Sequence, residues 1–243
     1  MKKERNLLNL LSDEKCLDAS KEAFINANNH KQSAELIAKN KQYGMAVSIL
    51  ILSTEELVKG ILLYIQYLSI DIRNISGVYL FFTDHIIRHR LATMINLMYP
   101  MLKLIMGIVF KTKEKLHNPE SNIQFTNEEN AIIYEDENEI KNLFKDLPAM
   151  MDWWDEANMN KNKGFYVDYS NSLETPMQVS ELEYNQAFVI TNIFHKQILD
   201  IVYQLEKATD EDKKEIKRNQ KDYNIDEILL PIIEERKKEK GIK

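Results

Sequence analysis

Glycine and proline are scarce in this 243-residue chain, which contains six of the former and five of the latter. Both residues interrupt helices, whereas Leu, Lys and Glu, which are abundant in this chain, favour helix formation. The chain is 44% hydrophobic and 29% charged, a balance that supports a sizeable core beneath a polar surface. The composition therefore predicts an all-α fold, built as one domain or as one domain with an appendage.

Cysteine and an excess of positive charge are also lacking. Cys16 is the only cysteine, which excludes an intrachain disulfide and is typical of a reducing cytoplasm, the location that we expect. The formal net charge of −6 argues against broad, non-specific binding of nucleic acid but leaves room for a local basic site. Glycine-rich phosphate loops, Cys-x-x-Cys pairs and Gly-x-Ser-x-Gly elbows are absent too, which argues against nucleotide-driven and serine-hydrolase chemistry.

A long uncharged apolar run is missing even from the most apolar segment, residues 42–70. Glu55, Glu56 and Lys59 lie near its middle, and no uncharged stretch approaches the ~18 residues that span a bilayer. Charges at that depth would be costly in lipid. We therefore expect a core helix and no membrane association.

The spacing of apolar residues divides the chain into helical segments. One or two helices are predicted over residues 12–40, with Ser12 or Asp13 as the N-cap, and single helices are predicted over 43–69 and 181–206. The segment over 43–69 is the most apolar and is expected at the centre of the bundle.

Two further features concern the organisation of the chain. The helix that contains "DHIIRHRLATMINLM" is expected to stop or kink near Pro100. The domain boundary is predicted after residue 208, with a helical domain over 1–208 and a charged C-terminal helical appendage over 209–243.

The segment "STEELVKG" places polar groups in the most apolar helix. At ~100° per residue, Ser48, Glu55, Lys59 and Gln66 fall on one narrow stripe, with Glu56 beside it. One interpretation is a solvated stripe with a Glu–Lys pair, worth a few tenths of a kcal/mol. The other is a polar site built into the core, where unpaired charges would be expensive.

The segment "DHIIRHRLA" carries His85 and His89 four residues apart, on one helix face, with Arg88 one step round. The two histidines could bind a metal with the glutamates of the preceding helix. They could instead act as general acid and base while an arginine steadies a phosphate. The third interpretation is a pair of half-exposed helix histidines near Asp84.

Three stretches, taken in order, resemble the AbiV family of bacterial abortive-infection proteins, within the HEPN superfamily of helical domains. The first is "AFINANNHKQSAELIAKNKQYGMAVSILILSTEELVKG", which includes a Ser-x-Glu-Glu-x-x-Lys pattern from Ser53 to Lys59. The second is "DHIIRHR", and the third is "EANMNKNKGFYVDY", which is similar to the Arg-x-x-Gly-Leu-Tyr-Val-Asp element of that family. Together they cover roughly residues 20–205, and the first and third are the more specific. The resemblance implies a HEPN-like helical bundle.

The third stretch also contains an aromatic and β-branched patch, "FYVDY", directly after a lysine-rich turn. The resemblance marks it as a recurrent signature after the middle helices, here a short extended Gly-Phe-Tyr-Val-Asp element. We expect Gly164 to permit a sharp exit, Phe165 and Val167 to plug the bundle, and Tyr166 and Asp168 to point at the polar site. The alternative is a hydrophobic clip that holds a loop down.

The sequence departs from the family and superfamily patterns at two points. Lys161 occupies the position of the family's arginine, which keeps the charge but loses the bidentate fork. No arginine is followed after four to six residues by a histidine, which is the ribonuclease signature of the superfamily. Ribonuclease activity therefore does not follow from the resemblance alone.

The function that the resemblance implies is that of an antiphage effector, which arrests host growth or translation upon infection. Its partners would be a second copy of the chain, in a homodimer, a phage or host protein as trigger, and RNA; no cofactor is expected. If the effector is a ribonuclease, RNA would be cleaved without a metal at a composite dimer site, with histidines as base and acid. The alternative is a non-catalytic helical protein that binds a host or phage protein. The expected catalytic residues are Glu55, Glu56, Lys59, His85, Arg88 and His89.

Overall fold

The computed structural model describes residues 11–116, 127–167, 175–207, 209, 211 and 225–241. Within these ranges all regular secondary structure is helical, which confirms the predicted all-α class. The described helices are α1 (Asp13–Lys39), α2 (Tyr43–Tyr67), α3 (Leu80–Thr83), α4 (His85–Leu116), α5 (Asn127–Phe165), α6 (Glu181–Lys207) and α7 (Ile225–Glu239), with a 3-10 turn at Pro176–Gln178.

Helices α1 and α2 form an antiparallel hairpin at the centre of the bundle. Ser12 caps α1, as predicted, because its side chain accepts a hydrogen bond from the Lys15 amide at 3.3 Å. Small side chains such as Ala27 and Ala34 are fully buried on α1 and allow α2 to approach closely. Helix α2 also packs against α6, so the most apolar segment is central, as expected.

Helix α5 crosses α2 at a contact that only glycine permits. A Cβ atom on Gly164 would lie 2.1 Å from both the carbonyl oxygen of Gly44 and Oγ of Ser48. The Ser48 hydroxyl donates a hydrogen bond to the carbonyl of Lys161 at 2.7 Å. Gly164 is therefore required for the close approach of two helices, and not for a sharp exit, because α5 continues through Phe165.

The extended element begins only at Tyr166, which is 66% exposed, and the Val167 side chain is exposed as well. The expectation that Val167 plugs the bundle was therefore wrong. Asp168 lies outside the described residues. Pro100 does not end its helix either, since α4 runs through it to Leu116.

The chain forms two compact units, Met1–Ala92 together with Trp154–Lys243, and Thr93–Trp153. Helix α7 belongs to the first unit and buries Leu229 and Ile233. The domain boundary proposed after residue 208 stays a prediction.

Candidate functional site

Glu55 is a carboxylate built into the most apolar helix, and only 2% of its surface is exposed. Its Oε2 atom accepts hydrogen bonds from Nδ1 of His85 at 2.5 Å and from Nη2 of Arg88 at 2.8 Å. Its Oε1 atom accepts from Nε2 of His89 at 3.1 Å and from Nζ of Lys161 at 3.0 Å. A buried charge is tolerated only when it is paired and hydrogen-bonded, and both oxygens of Glu55 meet that condition.

Two local features bring these donors to Glu55. Helix α4 begins at His85, so His85, Arg88 and His89 lie within its first turns at i, i+3 and i+4, on one face. Lys161 comes from α5, 106 residues along the chain from Glu55. The glycine contact described above holds the α5 backbone close enough to α2 for the lysine to reach the carboxylate.

The electrostatics of the cluster follow from this arrangement. Burial by itself would raise the pKa of Glu55, but hydrogen bonds from His85 and His89 and the charges of Arg88 and Lys161 outweigh it and hold that pKa far below its ordinary range. Burial lowers the pKa of His89, despite its contact with the carboxylate. Arg88 and Lys161 thus bring two formal positive charges to one buried carboxylate.

The hydrogen bond to Glu55 determines the tautomer of His85. An ionised carboxylate only accepts, so Nδ1 of His85 carries the hydrogen. Nη2 of Arg88 lies 2.7 Å from the same Nδ1, and since both atoms donate to Oε2, this is a close approach of two donors. In the neutral imidazole the opposite ring nitrogen, Nε2, then holds the lone pair. The His85 side chain is 48% exposed, and no described residue hydrogen-bonds to Nε2.

Aromatic side chains form the inner wall of the cluster. The imidazole of His89 lies 6.2 Å from the ring of Trp154, and that ring lies 5.6 Å from Phe194, edge to face. Trp154 and Phe194 are fully buried. This wall keeps water from the inner side of the carboxylate, which strengthens its pairing with the cations.

Glu56 and Lys59 line a different part of the surface. They form a partly exposed ion pair at 2.5 Å and border a groove of 630 Å³ between α1 and α2, with Glu22, Asn26 and Phe82 on its walls. Lys59 thus pairs with its neighbour at i−3 and not with Glu55. Both interpretations of "STEELVKG" therefore apply, the solvated pair to Glu56 and Lys59 and the core site to Glu55.

Ser53, from the same segment, joins a second buried polar contact that the motif did not predict. Its hydroxyl donates to the carbonyl of Ala27 at 2.6 Å and lies 2.7 Å from Nε2 of His195. Since the hydroxyl hydrogen is used, Nε2–H of His195 donates to Ser53. Burial lowers the pKa of His195 to about 4, and the charge of Lys31 adds to the shift. His195 is a satisfied core histidine.

The remaining predicted site residues belong to the third stretch. The Tyr166 ring packs edge to face on Phe165 at 6.2 Å, and its exposure points it to solvent. The pairing of Lys161 with Glu55 was not predicted from the sequence, although the position of Lys161 in the family element was a signal. Asp84 was also missed as a participant, although aspartate immediately before a helical run is a familiar N-cap signal.

Metal binding finds no support in the donor set. In the part of the chain that the structure describes, no group of three or more His, Cys, Asp or Glu side chains is arranged to hold a metal ion. The oxygens of Glu55 that a metal would need are bonded to Arg88 and Lys161, which are cations themselves.

Comparison with known proteins places this helical bundle among the HEPN-type proteins. The family model HEPN_AbiV, described as AbiV, matches residues 15–196. The chain belongs to the AbiV family of HEPN-type proteins. This membership suggests a role in abortive-infection defence.

No curated protein and no solved structure gives a significant match. None of the helices in the described ranges has the length and the apolar character needed to cross a membrane.

Proposed function

We propose that this protein is an abortive-infection effector that arrests host growth by cleaving RNA at a histidine held by a buried glutamate. The observation that carries the proposal is the 2.5 Å hydrogen bond from Nδ1 of His85 to Glu55. A buried carboxylate that orients one nitrogen of a half-exposed imidazole leaves the other nitrogen as a base. The same pair would stabilise the imidazolium that forms when His85 takes a proton.

The reaction begins when Nε2 of His85 accepts the proton of an RNA 2′-hydroxyl. The oxygen attacks the adjacent phosphorus, the P–O5′ bond breaks, and a 2′,3′-cyclic phosphate forms. The leaving 5′ oxygen must receive a proton from an acid. Arg88 and Lys161 are too buried to touch the phosphate, so they contribute through the positive field of the cluster.

A second copy of the chain is needed to supply the general acid that protonates the leaving oxygen. His89 is buried and donates to Glu55, so it does not reach the leaving oxygen. His85 is the one histidine of this cluster that is half-exposed. A homodimer that faces two His85 side chains across a two-fold axis would supply base and acid together. The cytoplasm, with its RNA and a phage or host protein as trigger, is the proposed setting.

The second candidate is a non-catalytic protein that acts by binding a host or phage protein. The observation that favours it is the complete pairing of Glu55 by buried cations, which is also what a structural network requires. The groove beside Glu56 and Lys59 would then be a candidate contact surface.

Mapping of RNA 5′ ends in phage-challenged cells tests the proposal. Cells that produce the wild type are compared with cells that produce His85→Gln. Cells that produce His30→Gln are the control, because His30 is a half-buried histidine on α1 and is not among the residues that hydrogen-bond to Glu55. We expect new 5′-hydroxyl ends with the wild type and the control, and none with His85→Gln. Intact RNA together with continued growth arrest in the His85→Gln cells would favour the binding protein.

A further inference from the structure

Helix α7 is bonded to the residue that precedes His85. Asp84 is buried, and its Oδ1 atom accepts from the amides of Ile86 at 2.9 Å and Ile87 at 3.4 Å. Its Oδ2 atom accepts from Nε of Arg236 at 3.0 Å and is also paired with Nζ of Lys240. One carboxylate thus ties the first turn of α4 to the C-terminal helix.

A second set of contacts joins α7 to α4 just beyond the cluster. Nη2 of Arg90 bonds Oε1 of Glu239 at 2.5 Å, and its Nη1 lies 3.5 Å from Glu235. Ile233 is buried against Gly77, where an added Cβ would meet its side chain at 2.7 Å. Helix α7 therefore bonds to α4 on both sides of the turn that carries His85, Arg88 and His89.

The charge on Asp84 makes the contact with α7 necessary for the local structure. Burial by itself would raise its pKa, but Lys240 and Arg236 outweigh burial and lower the pKa to about 2. The carboxylate is therefore ionised throughout the physiological range. Without its two cations it would be a buried charge held only by amides, which is an expensive arrangement.

We propose that α7 is a latch that regulates the His85–Glu55 site, with Arg236 and Lys240 acting as positioning residues through Asp84. While α7 is docked, Asp84 caps α4 and the first turn holds Nδ1 of His85 on Glu55. When α7 leaves, Asp84 turns towards water, the cap opens, and His85 loses its fixed tautomer. A partner that captures α7 would thus switch the site off. The importance of His85 rests on the function proposed above, whereas the coupling of α7 to the first turn of α4 through Asp84 does not.

The test uses the full chain with Arg236→Ala/Lys240→Ala. Its matched control is Lys237→Ala/Lys238→Ala, which removes the same charge from the same C-terminal segment; Lys237 pairs with Glu234, and Lys238 is exposed. Nitrogen NMR of the imidazoles reports the tautomer of His85, which the spectrum of His85→Gln identifies. Hydrogen exchange of the Ile86 and Ile87 amides reports the cap.

We expect the two His85 nitrogen shifts to move towards each other in the Arg236→Ala/Lys240→Ala protein. Exchange at Ile86 and Ile87 should rise about tenfold or more, as for a local opening. The control should match the wild type, and Arg236→Lys/Lys240→Arg, which keeps both cations, should restore the wild-type spectrum.

A folded Arg236→Ala/Lys240→Ala protein with wild-type His85 shifts and wild-type exchange would overturn the latch. If that double variant does not fold, Lys240→Gln alone, at a partly exposed position, is expected to give the same changes in smaller size. Wild-type behaviour of Lys240→Gln would then overturn the proposal. Both readouts are independent of RNA cleavage, so failure of the proposed function would not imitate failure of the latch.

Discussion

Glu55 and His85 lie 30 residues apart in the chain, yet the carboxylate and the imidazole share a 2.5 Å hydrogen bond at the edge of the core. One partner is almost fully buried and the other is half-exposed. The pair therefore connects a desolvated charge to the surface of the protein. Glu55 is thus a residue that holds the cluster together, whereas His85 is the residue that can contact a substrate.

The substitution Glu55→Gln should destabilise the protein strongly. It keeps the shape of the side chain but removes the charge that neutralises Arg88 and Lys161, both of which are buried. Breaking a buried ion pair at one partner costs roughly 3–5 kcal/mol. Urea unfolding followed by circular dichroism measures the loss.

The matched control for that experiment is Glu56→Gln, the next residue on the same helix. Glu56 pairs with Lys59 at a partly exposed position, where an ion pair is worth about 1 kcal/mol or less. Equal losses for Glu55→Gln and Glu56→Gln would show that the buried cluster does not stabilise the fold.

His85→Gln and His89→Gln should affect different properties. His85 is half-exposed, so its replacement should abolish growth arrest while the free energy of unfolding changes by about 1 kcal/mol or less. His89 is buried and bonded to Glu55, so its replacement should cost about 1–3 kcal/mol in stability. Growth curves after phage challenge and urea unfolding give the two quantities. A His85→Gln protein that is stable and still arrests growth would rule out the catalytic role.

The substitution Gly164→Ala should force α5 away from α2. The added Cβ would lie 2.1 Å from backbone and side-chain oxygens of α2, so the gain in helix propensity cannot be realised. We expect a loss of about 1–3 kcal/mol, the usual range for overpacking, together with a weakened contact between Lys161 and Glu55. Asn162→Ala, an exposed neighbour on α5, should change stability by about 0.5 kcal/mol or less. A Gly164→Ala protein as stable as the wild type would contradict the close contact.

The stability of the protein should fall as the pH falls from 7.5 to 5. His195 has its pKa lowered to about 4 in the folded state, whereas an unfolded chain has the ordinary value of about 6.5. Between these values the unfolded state binds a proton that the folded state does not. The contribution of His195 to the free energy of unfolding is therefore fully present above pH 6.5 and is lost as the pH falls towards 4. At pH 5 the loss from His195 is about 2 kcal/mol, and burial of His89 adds to it in the same direction.

Urea unfolding at the two pH values, with His195→Gln beside the wild type, measures this contribution. The variant should show a pH-dependent loss smaller by about 2 kcal/mol. Lys196→Gln, at the exposed next position of the same helix, should show the wild-type dependence of stability on pH. If His195→Gln and the wild type lose the same stability between the two pH values, His195 is not the source of the pH dependence.

Features that depend on neighbours along the chain were predictable. The helical segments predicted over 12–40, 43–69 and 181–206 agree with α1, α2 and α6 to within one or two residues, because apolar periodicity and the Ser12 cap act within a few turns. Pro100 shows the limit of such local rules. It disfavours a helix by itself, yet the helix continues past it.

The sequence by itself determined the helical class, the central position of α2, the family, and the presence of Glu55, His85, Arg88 and His89 as candidates. The tertiary structure decided which of two adjacent glutamates is the buried one, that Lys161 is its partner, and that Gly164 serves a helix crossing. The reason is physical. Helix periodicity depends on residues three and four apart, whereas the burial of Glu55 depends on α4 and α5, whose contacts with it lie 30 to 106 residues away.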